Sequence, residues 1–132
     1  MNGAFIPSTE AQRDDLPWGF SRWFSRPSAT GASQLVVIEV ELEPGAGHAF
    51  HHHPLQEEVL YVLDGQVHQW LEQDHRILHP GDAIFIHKGI VHASFNVSSR
   101  PAKFLAILGP SVGPEGYQTV DVSGDAPWKD LR

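Results

Sequence analysis

Short apolar segments alternate with turn residues along the middle of this 132-residue chain, and this pattern limits the fold more than any other feature. The interruptions contain groups such as Asp64-Gly65 and Pro80-Gly81-Asp82, which favour turn dihedrals. Short segments at such spacing are typical of an all-β sandwich or barrel. The pattern therefore predicts eight strands, at residues 35–42, 49–53, 58–63, 66–71, 76–78, 83–87, 91–97 and 102–108.

The composition excludes several classes of function. A formal net charge of −7 argues against nucleic-acid binding, because that function needs basic residues to neutralise phosphates. The chain contains no Cys, so a metal site would have to use His, carboxylate, amide or water ligands. No apolar stretch approaches the ~20 residues of a membrane span, and the N-terminal residues lack a signal-peptide pattern. We therefore expect a cytoplasmic protein without a membrane partner.

The two ends of the chain show no sustained strand or helix pattern. The chain divides into an irregular, aromatic-rich N-terminal arm, a single β-barrel domain and an irregular C-terminal tail, at residues 1–34, 35–109 and 110–132. The aromatic residues of the arm are Trp18, Phe20, Trp23 and Phe24. They are too many to leave in water, so we expect the arm to pack across a sheet. Alternate apolar residues at Val59, Tyr61 and Leu63 offer a sheet face, and reciprocal packing predicts a homodimer. Packing of the arm on its own domain would leave a monomer.

All nine histidines fall within residues 48–92. On a strand, alternate side chains share a face, so His51 and His53 can point into a barrel while His52 points away. Glu58, at the start of the next predicted strand, can meet them across the turn. Two imidazoles and a carboxylate form a facial set that suits Fe, Mn, Ni or Zn. The histidines at predicted strand ends and turns are interpreted as surface residues: His48, His52, His75 and His79.

Two motifs carry a resemblance to a known family. The first is Gly45-(five residues)-His51-His52-His53-(four residues)-Glu58-(six residues)-Gly65. The second is Gly81-(five residues)-His87-Lys88-Gly89-(two residues)-His92-(three residues)-Asn96. Together they resemble the cupin superfamily, of the small quercetin-dioxygenase-like and germin-like kind, except that His87 stands where the family usually has Pro. The resemblance implies a single-domain jelly-roll barrel, also called a double-stranded β-helix.

The same resemblance implies a metal site. It assigns His51, His53, Glu58 and His92 as ligands of one divalent transition metal, and leaves the choice among Fe, Mn, Ni and Zn open. Burying three imidazoles and a carboxylate without a partner would be costly, which favours a metal over a barrel whose polar groups bond to water. Glu58 would also act as a catalytic base if it can release the metal.

Further residues are candidates for the pocket around that metal. They are Gln56, Leu60, Val62, Trp70, Phe85, His87 and Phe95. Gln56 would enter from a loop as a weak ligand or as a donor to substrate, although a loop Gln is more often solvated. His87 would support the site from the barrel mouth. If the face of strand 66–71 that carries His68 and Trp70 points inward, His68 becomes a catalytic acid or base and Trp70 a wall of the pocket. The sequence leaves that orientation open.

These features predict a small metal-dependent enzyme, oxygenase-like, that acts on a small oxygen-chelating metabolite. One alternative is a non-catalytic, metal-loaded cupin that binds a small molecule. Another is a metal-dependent isomerase, cyclase or lyase. The resemblance does not choose among them, because one fold supports many reactions.

Overall fold

The computed structural model describes residues 2–132, which form two β-sheets of antiparallel strands. The strands are β1 (Gln12–Leu16), β2 (Gly19–Ser25), β3 (Val36–Leu42), β4 (Gly47–His52), β5 (Glu57–Asp64), β6 (Val67–Leu71), β7 (Asp74–Leu78), β8 (Ala83–Ile86), β9 (His92–Phe95), β10 (Ala102–Gly109) and β11 (Val120–Asp121). The helices are α1 (Pro27–Thr30) and one 3₁₀ turn (Trp128–Asp130). All eight predicted strands are present, with ends that differ by at most two residues, so the all-β prediction is confirmed.

The strands are divided between a six-stranded sheet, in the order β1-β2-β3-β10-β5-β8, and a five-stranded sheet, in the order β11-β4-β9-β6-β7. From β3 to β10 the chain passes repeatedly from one sheet to the other. This connection pattern is the jelly roll that the motifs imply. Within residues 2–132, neither helix has the length and apolarity needed to span a bilayer.

The main core lies between the two sheets. Along β3, buried residues alternate strictly with half-buried ones, and β10 shows the same alternation. The inward residues of β3 include Val36 and Leu42, which are fully buried. Full burial of one such aliphatic side chain contributes roughly 1.5–3 kcal/mol to folding. The six-stranded sheet is therefore held by one apolar face.

The prediction of an irregular N-terminal arm was wrong. β1 and β2 form a hairpin, and β2 pairs with β3, so the arm extends the six-stranded sheet. Trp23 points inward and is only 4% exposed. An inward position of β2 is held by the polar Ser21, whereas the outward Phe20 is covered by the guanidinium groups of Arg13 and Arg22. The sequence of this strand therefore lacks the usual alternation of inward apolar and outward polar residues.

The C-terminal residues are mostly irregular, and they pack against the barrel. β11 pairs with β4 at the edge of the five-stranded sheet. Beyond it, Val122, Trp128 and Leu131 cover a second apolar cluster, which is separate from the main core. The cluster consists of Phe50, Trp70, Ala93 and Phe95. The tail therefore buries the outer face of this sheet.

Candidate metal centre

The four predicted metal ligands come together between the sheets. His51 lies on β4, His53 directly follows that strand, and His92 lies on the neighbouring strand β9, opposite His51 in register. Glu58 reaches them from β5 in the facing sheet. Each of the four is at most 5% exposed. One ring nitrogen from each of the three histidines lies within 4.8 Å of the others.

Backbone carbonyl groups orient all three imidazoles. Nδ1 of His51 lies 2.6 Å, and Nδ1 of His92 2.9 Å, from the carbonyl oxygen two residues earlier in the chain. Nδ1 of His53 lies 3.0 Å from the carbonyl oxygen of Gln118. A carbonyl oxygen only accepts hydrogen bonds, so each Nδ1 carries the ring proton and each Nε2 keeps a free lone pair. This is the tautomer that a metal ligand needs.

Burial keeps these imidazoles neutral. Desolvation lowers the pKa of His51 well below its usual value, and the neighbouring His48 and His92 act in the same direction. Desolvation also lowers the pKa of His53, although the carboxylate of Glu58 partly opposes it. Both rings are therefore uncharged at neutral pH, when they can donate a lone pair to a cation.

The contact between Glu58 and His92 tests whether the site fits a metal. Oε1 of Glu58 lies 2.9 Å from Nε2 of His92 and 3.5 Å from Nε2 of His53. In the described part of the chain, neither Glu58 Oε1 nor His92 Nε2 has a hydrogen-bond partner, although both are buried. Two electron-rich atoms at this distance need a proton or a cation near them. Three imidazole nitrogens and one carboxylate oxygen suit Fe, Mn, Ni or Zn.

A cavity of about 60 Å³ adjoins these four side chains. Leu60 lines it from β5, and Trp18 and Trp23 line it from the N-terminal hairpin. Its other polar lining residues are Ser21, His48, Ser94 and Tyr117. Within residues 2–132, no Lys or Arg lines the cavity. The site is thus a small chamber whose polar groups cluster around the candidate ligands.

Comparison with known proteins decides the family. Residues 38–108, which carry both motifs, match the family model of the cupin domain. The chain belongs to the cupin family. The family resemblance predicted from the motifs is therefore confirmed.

The proteins to which this chain is similar differ in their names and in their overall likeness to it. This cupin is 27% identical over 92 residues to the tetracenomycin polyketide synthase protein TcmJ of Streptomyces glaucescens, an alignment that covers 70% of this chain but only 62% of that relative. KdgF from Halomonas sp. has 22% identity and a TM-score of 0.73, over 82% of this chain and 94% of its own. A cupin-superfamily sugar phosphate isomerase from Silicibacter pomeroyi has 26% identity and a TM-score of 0.67, over 80% and 75% of the two chains.

The face of β6 that carries His68 and Trp70 does not line the cavity of this cupin. Val67 and Leu71 of this strand pack in the main core, so Trp70 points outward. Trp70 and Phe95 lie in the outer cluster beneath the tail, and neither lines the cavity. Their assignment to the pocket was wrong, because both faces of this sheet are covered and its apolar pattern does not distinguish inside from outside.

His68 shares the outward face of β6 and does not reach the metal centre. Its Nε2 lies 3.0 Å from Nδ1 of His75 on the neighbouring strand β7, at an exposed position. Partial burial, with His75 and Arg132 nearby, lowers the pKa of His68. A role for His68 as catalytic acid or base required this face of β6 to point inward, and the face points outward instead.

Three further pocket candidates also lie away from the cavity. Phe85 is 46% exposed on the outward face of β8, and its ring centroid lies 4.7 Å from that of the exposed His87, with the two rings nearly perpendicular. Val62 is buried in the main core, beyond the cavity lining. The assignments of Phe85, His87 and Val62 to the pocket were wrong, because Phe85 and His87 are exposed and Val62, although buried between the sheets, lies outside the cavity lining.

Gln56 is neither a metal ligand nor a solvated loop residue. It is 2% exposed, and its Nε2 donates to the carbonyl oxygens of Pro110 at 2.8 Å and Gly116 at 2.9 Å. Its Oε1 accepts from the backbone N–H of Gln118 at 3.2 Å. Gln56 therefore anchors residues 110–119, hereafter the strap, beside the metal centre.

His48 is the main residue that sequence reasoning missed. It lines the cavity, and its ring stacks on that of His51, with centroids 3.7 Å apart. Burial lowers its pKa to about 4, and the nearby His53 and His92 add to this effect. Strict alternation from His51 would turn His48 outward. The pairing of β4 with β9 contains a register shift between these two residues, and that irregularity returns His48 to the inner face.

Aromatic residues from the two ends of the chain complete the cavity. Trp18, between β1 and β2, stacks on His48 with ring centroids 5.5 Å apart. Tyr117, on the strap, contacts His53 at 5.9 Å and Trp23 at 5.2 Å between centroids. Burial raises the pKa of Tyr117, so its hydroxyl keeps its proton at neutral pH. The only sequence signal for these residues is a large aromatic side chain in an otherwise polar segment.

Proposed function

We propose that this cupin is a metal-dependent, oxygenase-like enzyme that acts on a small oxygen-chelating metabolite. The observation that carries the proposal is the 2.9 Å contact between Glu58 Oε1 and His92 Nε2, two buried lone-pair atoms without a hydrogen bond. The proposed ligands are His51, His53, Glu58 and His92. A bound Fe, Mn or Ni ion would supply Lewis acidity and electron transfer next to the cavity.

Residues of the cavity lining would accept a proton from the substrate, limit the entry of water and restrict substrate size. Glu58 is the sole carboxylate in the described cavity lining, so it is the group that accepts a proton from a bound substrate. Trp18 and Tyr117 close the chamber from the two ends of the chain and limit the entry of water. A volume of about 60 Å³ holds only a few water molecules, so the substrate is compact.

Two successive experiments, metal analysis and then oxygen uptake, test this function. Elemental analysis of the purified protein should find close to one transition-metal ion per chain, and Glu58→Gln or His92→Ala should lower that content. Oxygen consumption is then measured with Fe-, Mn- and Ni-loaded protein across a panel of enediols and catechols. His68→Ala provides the matched control, because this imidazole lies outside the cavity.

The outcomes separate the alternatives. Oxygen consumption that follows metal content supports an oxygenase. Conversion of a compound without oxygen consumption would instead identify an isomerase, cyclase or lyase. Binding without conversion would identify a small-molecule-binding cupin, and either of these last two results overturns the oxygenase proposal.

We also propose that a second copy of the chain covers the outer face of the six-stranded sheet. In register across this face, Ile107 lies between Val37 and Val59, and Leu105 lies beside Tyr61. Tyr61 is 41% exposed. These outward apolar side chains can pack against those of a second copy, which gives a closed two-fold dimer.

A further inference from the structure

We infer that the cavity recognises its ligand through three hydrogen-bond donors, Ser21, His48 and Tyr117, and that the ligand is a compact monoanionic chelator ending in a hydroxyl or carbonyl group. This inference rests on the metal-dependent function proposed above and goes beyond it, because it names the chemistry of the ligand at both ends. The chelating end faces the four proposed metal ligands. The other end faces the three donors.

The three donors come from separate parts of the chain and have no partner within it. Ser21 lies on β2, His48 on β4 and Tyr117 on the strap, and all three line the cavity. Ser21 is only 5% exposed. Across residues 2–132, the hydrogen bonds of the protein leave the Ser21 hydroxyl, the His48 ring and the Tyr117 hydroxyl unused. Ser94 differs, since its hydroxyl donates to Gln69 at 2.6 Å.

Buried polar groups normally have a partner, and these three open onto the cavity. Neighbouring aromatic rings hold two of them in place: Trp18 stacks on His48 with an interplanar angle of 17°, and Trp23 packs on Tyr117. Each group can donate one hydrogen bond to an oxygen atom of a ligand. The groups therefore form a prepared binding surface beside the candidate metal ligands, with His48 against His51 and Tyr117 against His53.

The charge of the lining decides the charge of the ligand. A divalent ion together with the carboxylate of Glu58 leaves one positive charge at the chelating end. One anionic chelating group, such as a 2-hydroxycarboxylate, a 2-oxocarboxylate or an enolate, neutralises it. The described lining contains no Lys or Arg, so a second carboxylate or a phosphate would lose its hydration without gaining a cationic Lys or Arg partner.

The nearest guanidinium does not change this balance. Arg26 lies over the ring of Trp23, at 3.7 Å from its centroid. Its terminal nitrogens are already bound to the carboxylate of Glu115 at 2.6 Å and to the side-chain oxygen of Gln12 at 2.8 Å. Arg26 therefore holds the strap and the N-terminal hairpin together, and it is not among the residues that line the cavity.

Three related 2-hydroxy acids test the inference directly. Lactate, glycerate and malate share one chelating group and differ at the far end, which is a methyl, a hydroxymethyl or a carboxylate-bearing group. Binding of each to Mn²⁺-loaded protein is measured by isothermal titration calorimetry. Glycerate should bind more tightly than lactate, by roughly three- to tenfold, because its hydroxyl gains one hydrogen bond. Malate should bind more weakly than glycerate.

Three variants connect this preference to the named side chains. His48→Phe keeps the stack on Trp18 and removes the ring nitrogens, while Tyr117→Phe and Ser21→Ala each remove one hydroxyl. At least one of them should reduce the ratio of glycerate to lactate affinity towards one, with lactate affinity unchanged within about twofold. Ser25→Ala, on the same strand as Ser21, is the matched control and should keep the ratio. A merely structural role would weaken both ligands together.

The experiment distinguishes failure of the proposed metal function from failure of the proposed ligand preference. Mn²⁺ binding is measured first without any acid, and its absence would overturn the proposed metal function together with this inference. Metal binding with equal affinities for the acids, with a preference for malate, or with a glycerate preference that survives all three substitutions would overturn this inference alone. Circular dichroism confirms that each variant is folded, and the variants lie on separate elements, so the loss of one does not remove the test.

Discussion

Nδ1 of His53 lies 3.0 Å from the carbonyl oxygen of Gln118, a residue 65 positions further along the chain. The corresponding atoms of His51 and His92 use carbonyl groups only two residues away. One of the three imidazoles is thus oriented by a remote segment, whereas the other two are oriented by their own strands. The metal centre therefore depends on the strap in a way that the ligand motif does not reveal.

Replacing Gln56 with Leu tests this dependence. The substitution removes three hydrogen bonds that fix the strap, so His53 loses the support of a firmly placed Gln118 carbonyl. We expect metal affinity to fall by about tenfold, the lower end of the usual effect of groups that support metal ligands. The free energy of unfolding should fall by about 1–3 kcal/mol, since buried backbone groups are left unpaired. Competition with a fluorescent chelator measures the affinity.

Gln69→Leu is the control for that experiment. Gln69 is also a buried glutamine with side-chain hydrogen bonds, but it lies on β6, away from the strap. Its replacement should lower stability to a similar degree and leave metal affinity close to that of the original protein. Equal losses of affinity in the two variants would show that the effect is general destabilisation.

The histidine triplet provides a second prediction. His53→Ala should remove most of the metal affinity, because Nε2 of His53 lies within 3.5 Å of Glu58 and is part of the three-nitrogen cluster. His52→Ala should leave the affinity nearly unchanged, because that side chain lies on the opposite face of β4. Metal content after dialysis against a fixed free-metal concentration measures both. Similar losses in the two variants would place the ligands on the wrong face of the strand.

The buried histidines predict how the stability of the metal-free protein depends on pH. The folded-state pKa of His48 is lowered to about 4, from 6.5 in the unfolded chain, and that of His51 is lowered as well. Between these values the unfolded chain binds protons that the folded chain does not, so acidification favours unfolding. The contribution of His48 alone is up to about 3 kcal/mol, present above pH 6.5 and lost as the pH falls towards 4.

Urea denaturation in the presence of a chelator, near neutral pH and again at about pH 5, measures this effect. His48→Phe should show a smaller difference in unfolding free energy between the two conditions. His79→Phe is the matched control, because His79 is exposed and its replacement should keep the full difference. A metal-free protein of equal stability in both conditions would contradict the prediction.

Charge placed on the outer sheet face tests the proposed dimer. Tyr61→Asp puts a carboxylate beside the outward Leu105, on the face formed by β10 and β5, so it should yield a monomer in light scattering. Ile77→Asp makes the same kind of change at a 40% exposed position on β7 in the other sheet, and it should leave the mass unchanged. A dimer that persists in Tyr61→Asp would place the interface elsewhere.

Truncation before Gly31, by contrast, would not report on the interface. It would remove β1 and β2, together with Trp23, which is 4% exposed in the main core. Loss of a buried Trp side chain alone typically costs about 3–5 kcal/mol. Point substitutions on the exposed face therefore give the cleaner test.

The barrel strands could be predicted from the sequence because short-range physics fixes them. Turn residues such as Asp64 and Gly65 end one strand and begin the next, and Gly65 adopts a φ of +73°, which other residues rarely do. A Cβ atom there would also lie 2.5 Å from the carbonyl oxygen of Pro101. The spacing of His51, His53 and Glu58 likewise reflects strand alternation, so their meeting in the barrel could be anticipated.

The remaining features depend on long-range contacts that no local pattern records. The irregular pairing near His48 arises only when β4 meets β9. The outward position of Trp70 is favourable only because the C-terminal tail covers it. Tyr117 reaches the cavity because Gln56, far away in the sequence, holds the strap. The positions of His48, Trp70 and Tyr117 therefore depend on contacts between distant segments.

The origin of the cavity wall has a consequence for how such a protein could diversify. The four candidate metal ligands lie within the segment that matches the family, residues 38–108, whereas Trp18, Ser21, Trp23 and Tyr117 lie outside it. The candidate metal ligands thus come from the matched segment, whereas two of the three proposed ligand-binding donors, Ser21 and Tyr117, come from the ends of the chain. Exchange of residues 12–25 for those of a relative would replace Trp18, Ser21 and Trp23 in the cavity wall while all four candidate metal ligands and the strap stay in place, so variation at this end of the chain can change the ligand preference without changing the metal-binding residues.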